Sequence, residues 1–157
     1  MKIAIGSTKA GLALKKDVIA HLEKKGHALA DVGMRDGGEF VPYHMSAANV
    51  AKEVADGKCD KGIAICGTGA GSAIVANKFK GVYAVHCRNS YEAKRASAVN
   101  NANVLVLAEW LTPAQHALEI IEDWLATPFG HGFEPEWRKF LSTCVEDIKK
   151  LEEESFK

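Results

Sequence analysis

Short apolar runs alternate along this chain with longer stretches in which apolar positions recur every three or four residues. The first run, Lys2 to Ile5, stops at Gly6; after Gly11, the residues Leu12, Val18, Ile19 and Leu22 recur at helical spacing until Gly26. That predicts a strand, then a helix. The alternation continues with a strand at Ala28 to Val32, a helix around Ala47 to Ala55 closed by Gly57, and a strand at Gly62 to Ile65 before Cys66. A helix from about Ala70 to Phe79, a strand at Val82 to Val85, a helix from about Ser90 to Val99 and a strand at Val104 to Leu107 follow. Thr112 and Pro113 then open a helix, as N-cap and first-turn residue, that runs to about Ala126.

Five strands alternating with helices predict a parallel sheet covered on both faces, because parallel strands need crossover connections. The fold class expected is α/β, flavodoxin-like, three layers, strand order 2-1-3-4-5. In that order the switch point lies between the first and third strands, and ligands bind in the crevice beyond it. The loops there are Gly6 to Gly11 and Cys66 to Ser72, the most glycine-rich of the chain. Residues 1–126 form the main unit. Beyond them, Thr127 to Pro135 breaks the alternation and leads into a helix from about Glu136 to Glu154. Its stripe of Trp137, Phe140, Leu141, Val145, Ile148 and Leu151 needs a cover, so 127–157 reads as an arm of the same domain that packs on a second subunit.

Composition narrows the function classes. Of 157 residues, 47% are hydrophobic and 25% charged, with 20 basic against 20 acidic side chains. This balance gives no reason to expect nucleic acid or an anionic membrane as partner, and any anionic ligand must be held locally. No run approaches a membrane span and the start lacks a signal-peptide core, so the expectation is a cytoplasmic protein. Cys59, Cys66, Cys87 and Cys144 show no C-x-x-C spacing and read as free thiols.

Cys66 ends an apolar run directly before three glycines. A dinucleotide fingerprint would need a third glycine where Ser72 stands, and the phosphate loop G-x-x-x-x-G-K-[ST] is absent, which weighs against a nucleotide- or flavin-binding protein on this fold. What remains is a strand-turn-helix junction whose N–H groups converge beside a thiol. Such a thiol can act as a base, and such N–H groups can hold an oxyanion, as proton abstraction next to a carbonyl requires.

Cys66-Gly-Thr-Gly-Ala-Gly-Ser72 with Ala76-Asn-Lys78, Met1-Lys-Ile-Ala-Ile-Gly-Ser7 with Ala10-Gly11, and Asn100-Asn-Ala-Asn-Val-Leu105 resemble type B ribose-5-phosphate isomerases and galactose-6-phosphate isomerases. The resemblance spans about residues 1 to 126. It implies an aldose–ketose isomerase of a small sugar phosphate that uses no metal or cofactor. It also implies a homodimer or homotetramer with active sites at the subunit interface. Carried over by motif, Cys66 is the base between C1 and C2. Gly67, Thr68, Gly69, Ala70, Gly71 and Ser72 form the anion hole, Thr68 also touches the sugar oxygens, and Asn100 binds a hydroxyl of the enediolate.

Three departures bear on the substrate. Thr8-Lys9 stands where many members have Asp-His, and Val99 stands where many carry the histidine that helps open a sugar ring. Ala108-Glu-Trp110 and Gly130-His-Gly132 replace the arginine-bearing segments that grip phosphate. Loss of the ring-opening histidine points to an open-chain substrate such as a tetrose phosphate, unless His44 or His131 has taken that role. His21, His27 and His116 read as solvated. Ser7, Thr8, Lys9, Arg88, His131 and Arg138 are the expected substrate and phosphate contacts; Glu109 and Trp110 are either pocket residues or packing. The rival from the binding class is a non-catalytic sugar-phosphate-binding protein, or a subunit whose partner supplies the missing groups.

Overall fold

A computed structural model describes residues 1–156. Five parallel strands form one sheet: β1 (Lys2–Ser7), β2 (Ala28–Asp31), β3 (Lys61–Cys66), β4 (Ala84–His86) and β5 (Val104–Ala108). The helices are α1 (Leu12–Lys24), α2 (Tyr43–Ala55), α3 (Ala70–Ala76), α4 (Ser90–Ala98), α5 (Ala114–Ala126) and α6 (Pro135–Ser155), with a short 3-10 turn at Lys9–Gly11. Leu14, Val18 and Leu22 of α1, Ala93 and Ala96 of α4, and Ile120, Ile121 and Trp124 of α5 pack with Ile3, Ile5, Ile63, Ile65, Leu105 and Leu107 on one face. Ala47, Val50 and Ala51 of α2 and Ala76 of α3 pack with Ala4, Ala64, Val104 and Val106 on the other. The period of two along each strand thus feeds both cores.

The strand order is 2-1-3-5-4, which corrects the expected 2-1-3-4-5. The last strand in sequence sits inside the sheet and β4 is at its edge. The reason lies in their side chains. All five residues of β5, VLVLA, are buried, as an interior parallel strand requires. β4 has only three residues and ends on half-buried His86, suited to an edge. The switch point between β1 and β3 is unaffected.

Several boundaries also shift. α2 begins at Tyr43, directly after Pro42, rather than near Ala47, and α3 ends at Ala76, where the side chain of Asn77 pairs with the backbone of Ala84 instead of continuing the helix. α5 is entered from Pro113 with no side-chain cap, so Thr112 is not its N-cap. Lys15 is almost fully buried. Its ammonium meets both carboxylate oxygens of Asp31 at 2.7 Å and the Met34 carbonyl, which ties α1 to the end of β2. On α6, Leu141 is buried while Trp137, Phe140, Ile148 and Leu151 are exposed; the helix is held to the sheet edge by Glu152, which accepts from Gly81 N–H and Tyr83 Oη.

Candidate active site

Two strand ends build the cleft. β1 and β3 are adjacent and parallel, Ser7 facing Ile65, so the Thr8–Ala10 turn and the loop after Cys66 leave the sheet side by side. Between them lies a cleft of about 350 Å³ lined by Thr8, Ala10, Tyr43, Cys66, Gly67, Thr68, Gly71 and Trp110. None of these side chains is a lysine, arginine or histidine. Cys66 is 5% exposed and its Sγ accepts the Gly69 N–H at 3.1 Å.

Glycine is required at that donor. Gly69 has φ +80°, a left-handed conformation costly for residues with a Cβ, and a Cβ there would lie 2.6 Å from His86 Nε2. His86, at the end of β4, is packed against the back of the loop. Its Nε2 is buried with no partner, and burial, reinforced by the Arg88 charge, lowers its pKa. Gly67 is required for a second reason. A Cβ there would meet three atoms of the Trp110 ring at 2.7 to 2.8 Å, so the indole lies face-on against this glycine.

The expected site residues divide by position. Cys66, Gly67, Thr68, Gly71 and Thr8 line the cleft, while Gly69 spends its N–H on the thiol. Ala70 is exposed beyond the lining, and Ser72 and Ser7 are buried beneath it, the Ser7 hydroxyl without a partner. Lys9 is exposed on the lip between Thr8 and Ala10. Arg88 pairs with Glu92 at 3.1 Å in the first turn of α4. Asn100 does not reach Cys66 of its own chain: it lies in the turn before β5, and Cys66 pairs with Ala108 at that strand's far end, roughly 13 Å of strand away. His131 and Arg138 belong to the same remote end, where Gly130 N–H donates to the Ala98 carbonyl and Arg138 packs on Gly130. His44 is exposed on the rim, edge-on to Tyr43.

Tyr43 was not expected in the cleft. Its ring stands against Gly71, and the signal for it was Pro42, which marks a helix start earlier than the apolar spacing does. Trp110 is a lining residue. Glu109 points elsewhere, to the backbone of Leu14.

Burial lifts the thiol of Cys87 to about 12 and raises that of Cys59, which suits them to packing rather than proton transfer. Among the described residues, no group of three or more His, Cys, Asp or Glu could hold a metal ion, and no helix is long and apolar enough to cross a membrane.

Residues 3–139 match the Ribose/Galactose Isomerase family. The 4-deoxy-4-sulfo-D-erythrose isomerase of Clostridium sp. (strain MSTE9) is 39% identical over 158 residues, covering 100% of this chain and 99% of the relative. The D-erythrulose-4-phosphate isomerase of Pectobacterium atrosepticum is 39% identical over 140 residues, 88% of this chain and 92% of the relative. Among solved structures, ribose-5-phosphate isomerase B of Clostridium thermocellum superposes with a TM-score of 0.89 at 38% identity, covering 98% of this chain and 99% of its own. With the family model spanning most of the chain, relatives 39% identical and the fold matched over 98% of its length, the chain belongs to the ribose/galactose isomerase family and is an aldose–ketose isomerase.

Proposed function

We propose that this chain interconverts the aldose and ketose forms of an open-chain four-carbon sugar with an anionic group on C4, using Cys66 as the base. The observation that carries the reading is the Cys66 thiol at the cleft wall, accepting the Gly69 N–H and flanked by Thr68 and Gly71. The Cys66 thiolate takes the proton from C2 of the aldose. The C2–H electrons form the C1–C2 double bond, and charge collects on O1. The N–H groups of Ala70, Gly71 and Ser72 have no partner within the first turn of α3, and they offset that charge while the Gly69 N–H holds the thiol. Thr68 Oγ1 relays the O2 proton to O1, and Cys66 returns its proton to C1, giving the ketose. No redox or metal step is required.

The four-carbon reading is supported by Val99 in place of a ring-opening histidine, since such a sugar cannot close a furanose through its substituted C4. Two relatives are named for four-carbon substrates. The one that aligns along the entire chain, α6 included, is named for a sulfonate. A sulfonate carries one negative charge where a phosphate ester carries up to two, and the walls that this chain itself provides hold no cationic side chain. The sulfonated tetrose is therefore the first substrate, erythrose 4-phosphate the second.

The active unit is a homodimer or a tetramer built from it. Asn100, His131 and Arg138 share one end of the subunit, remote from its own cleft, and a second copy presenting that end to the cleft would supply a hydroxyl ligand and a cation together. The exposed Trp137, Phe140, Ile148 and Leu151 of α6 provide apolar surface for the contact.

The test is proton NMR in deuterated water with 4-deoxy-4-sulfo-D-erythrose, erythrose 4-phosphate and ribose 5-phosphate in parallel. Loss of the C2 proton and appearance of ketose with a four-carbon sugar, absent in Cys66→Ala, is the expected result. Preference for ribose 5-phosphate would overturn the four-carbon reading. Tight binding without exchange would favour a binding protein.

A further inference from the structure

We infer that Trp110 sets the length of sugar that the cleft accepts, its indole occupying the space into which a fifth carbon and its anionic group would extend. The inference rests on the four-carbon reading above.

Three contacts fix the ring. Glu109 N–H donates to the Cys66 carbonyl at 2.9 Å and Trp110 N–H to the Gly67 carbonyl at 3.1 Å, so the backbone beyond β5 is locked in register with the reactive loop. The glycine at 67 lets the indole settle face-on against its α-carbon. The preceding side chain, Glu109, is committed to Leu14 N–H and leaves the cleft to its neighbour.

The other face of the ring is open. Trp110 is 69% exposed and lines the cleft with Thr8, Ala10 and Tyr43. A cleft of about 350 Å³ is at the low end of the ~300–1,000 Å³ usual for small-molecule sites. A flat aromatic wall there shortens the reach from Cys66 and offers C–H contacts to sugar carbons, but no charge. The anionic end of the substrate must then stop short of the indole, within reach of Lys9 on the lip. A longer sugar would press its terminal group against the ring and leave that charge unpaired.

The test compares dissociation constants by titration calorimetry for 4-phospho-D-erythronate and 5-phospho-D-ribonate, open-chain acids that carry the same C1 carboxylate and terminal phosphate and differ by one carbon. Wild type should bind the four-carbon acid at least about tenfold more tightly, in keeping with the discrimination a single carbon allows. Trp110→Ala should reduce that ratio to threefold or less, chiefly by binding the five-carbon acid better, and Trp110→Phe should retain most of it. Equal weakening of both acids in Trp110→Ala, or no length preference in wild type, overturns the inference, as does failure of wild type to bind either acid. The same proteins assayed for C2 proton exchange separate the two readings. Absent exchange with an intact length ratio removes only the isomerase reading, and exchange with a flat ratio removes only the role of Trp110.

Discussion

Glu109 Oε2 accepts the backbone N–H of Leu14 at 2.9 Å, joining the end of β5 to the first turn of α1. α1 has Gly11 at its N-cap, no side-chain cap of its own and no acidic residue in its first turn, so a carboxylate from the neighbouring loop meets both needs. Glu109→Ala should lower stability by ~0.5–2 kcal/mol, the usual cost of a lost cap. Urea unfolding measures this, with the order of preference among sugars unchanged. A changed substrate order with undiminished stability would make Glu109 a substrate ligand instead.

Cys66→Ala should reduce turnover by at least the ~10²–10⁴-fold that a positioned proton-transfer group supplies. The change trims one small side chain at the cleft wall, so the thermal midpoint should move little. Cys66→Ser keeps the shape and should be nearly as inactive, a hydroxyl being a far weaker acid than a thiol. Retained C2 exchange in either variant would remove Cys66 from the mechanism.

Gly67→Ala pushes a methyl group to 2.7 Å from the Trp110 ring. Either the indole leaves its seat or the loop shifts, at ~1–3 kcal/mol for overpacking. Both outcomes lower activity. In the double variant Gly67→Ala, Trp110→Ala, the stability loss from the alanine at 67 should largely vanish, which a thermal-melt cycle detects.

The depressed pKa of His86 gives stability a pH dependence whose sign is fixed. Burial favours the neutral ring in the folded state, so between the folded pKa and the unfolded value of about 6.5 the unfolded chain binds more protons, and stability rises with pH. His86 therefore imposes no penalty above about pH 6.5 and a growing one as pH falls below it. Urea midpoints from pH 7.5 to 5 should decline more steeply in wild type than in His86→Gln. Parallel curves would show that this ring does not titrate in the fold.

The buried pair of Lys15 and Asp31 predicts an asymmetric response. Asp31→Asn strands an ammonium whose side chain is 2% exposed, and should cost toward the low end of ~3–5 kcal/mol because Asp31 itself is 24% exposed. Lys15→Met with Asp31→Asn should recover much of that loss. Denaturant midpoints of the two variants provide the comparison.

Much of this was readable along the chain. Five apolar runs gave five strands, and Cys66 followed by glycines marked the cleft, because a turn of small residues after a buried strand has few structural uses. The position of β5 was not readable from order alone, although its unbroken apolar run against the three residues of β4 carries the information. Asn100 comes from a motif, and His131 and Arg138 from the search for a cation where the arginine-bearing segments are missing; both routes record residue type but not the end of the subunit on which each residue lies. Glu109 and Trp110 are adjacent in sequence and diverge in role, one toward a helix terminus and one into the cleft. Adjacent side chains leaving a strand point in different directions, and only the packing shows which partner each finds.

The insertion of β5 between β3 and β4 has a consequence for synthesis on the ribosome. β4 has no neighbour in the sheet other than β5, so a nascent chain that has emerged only through α4 holds β2, β1 and β3 with the outer edge of β3 unpaired. That edge carries Gly62 to Cys66, the strand that ends at the cleft thiol. Until residues 104–108 emerge, the strand that leads into the cleft is also an open template for pairing with another chain, and a release stalled before β5 would yield an aggregating fragment rather than a smaller enzyme.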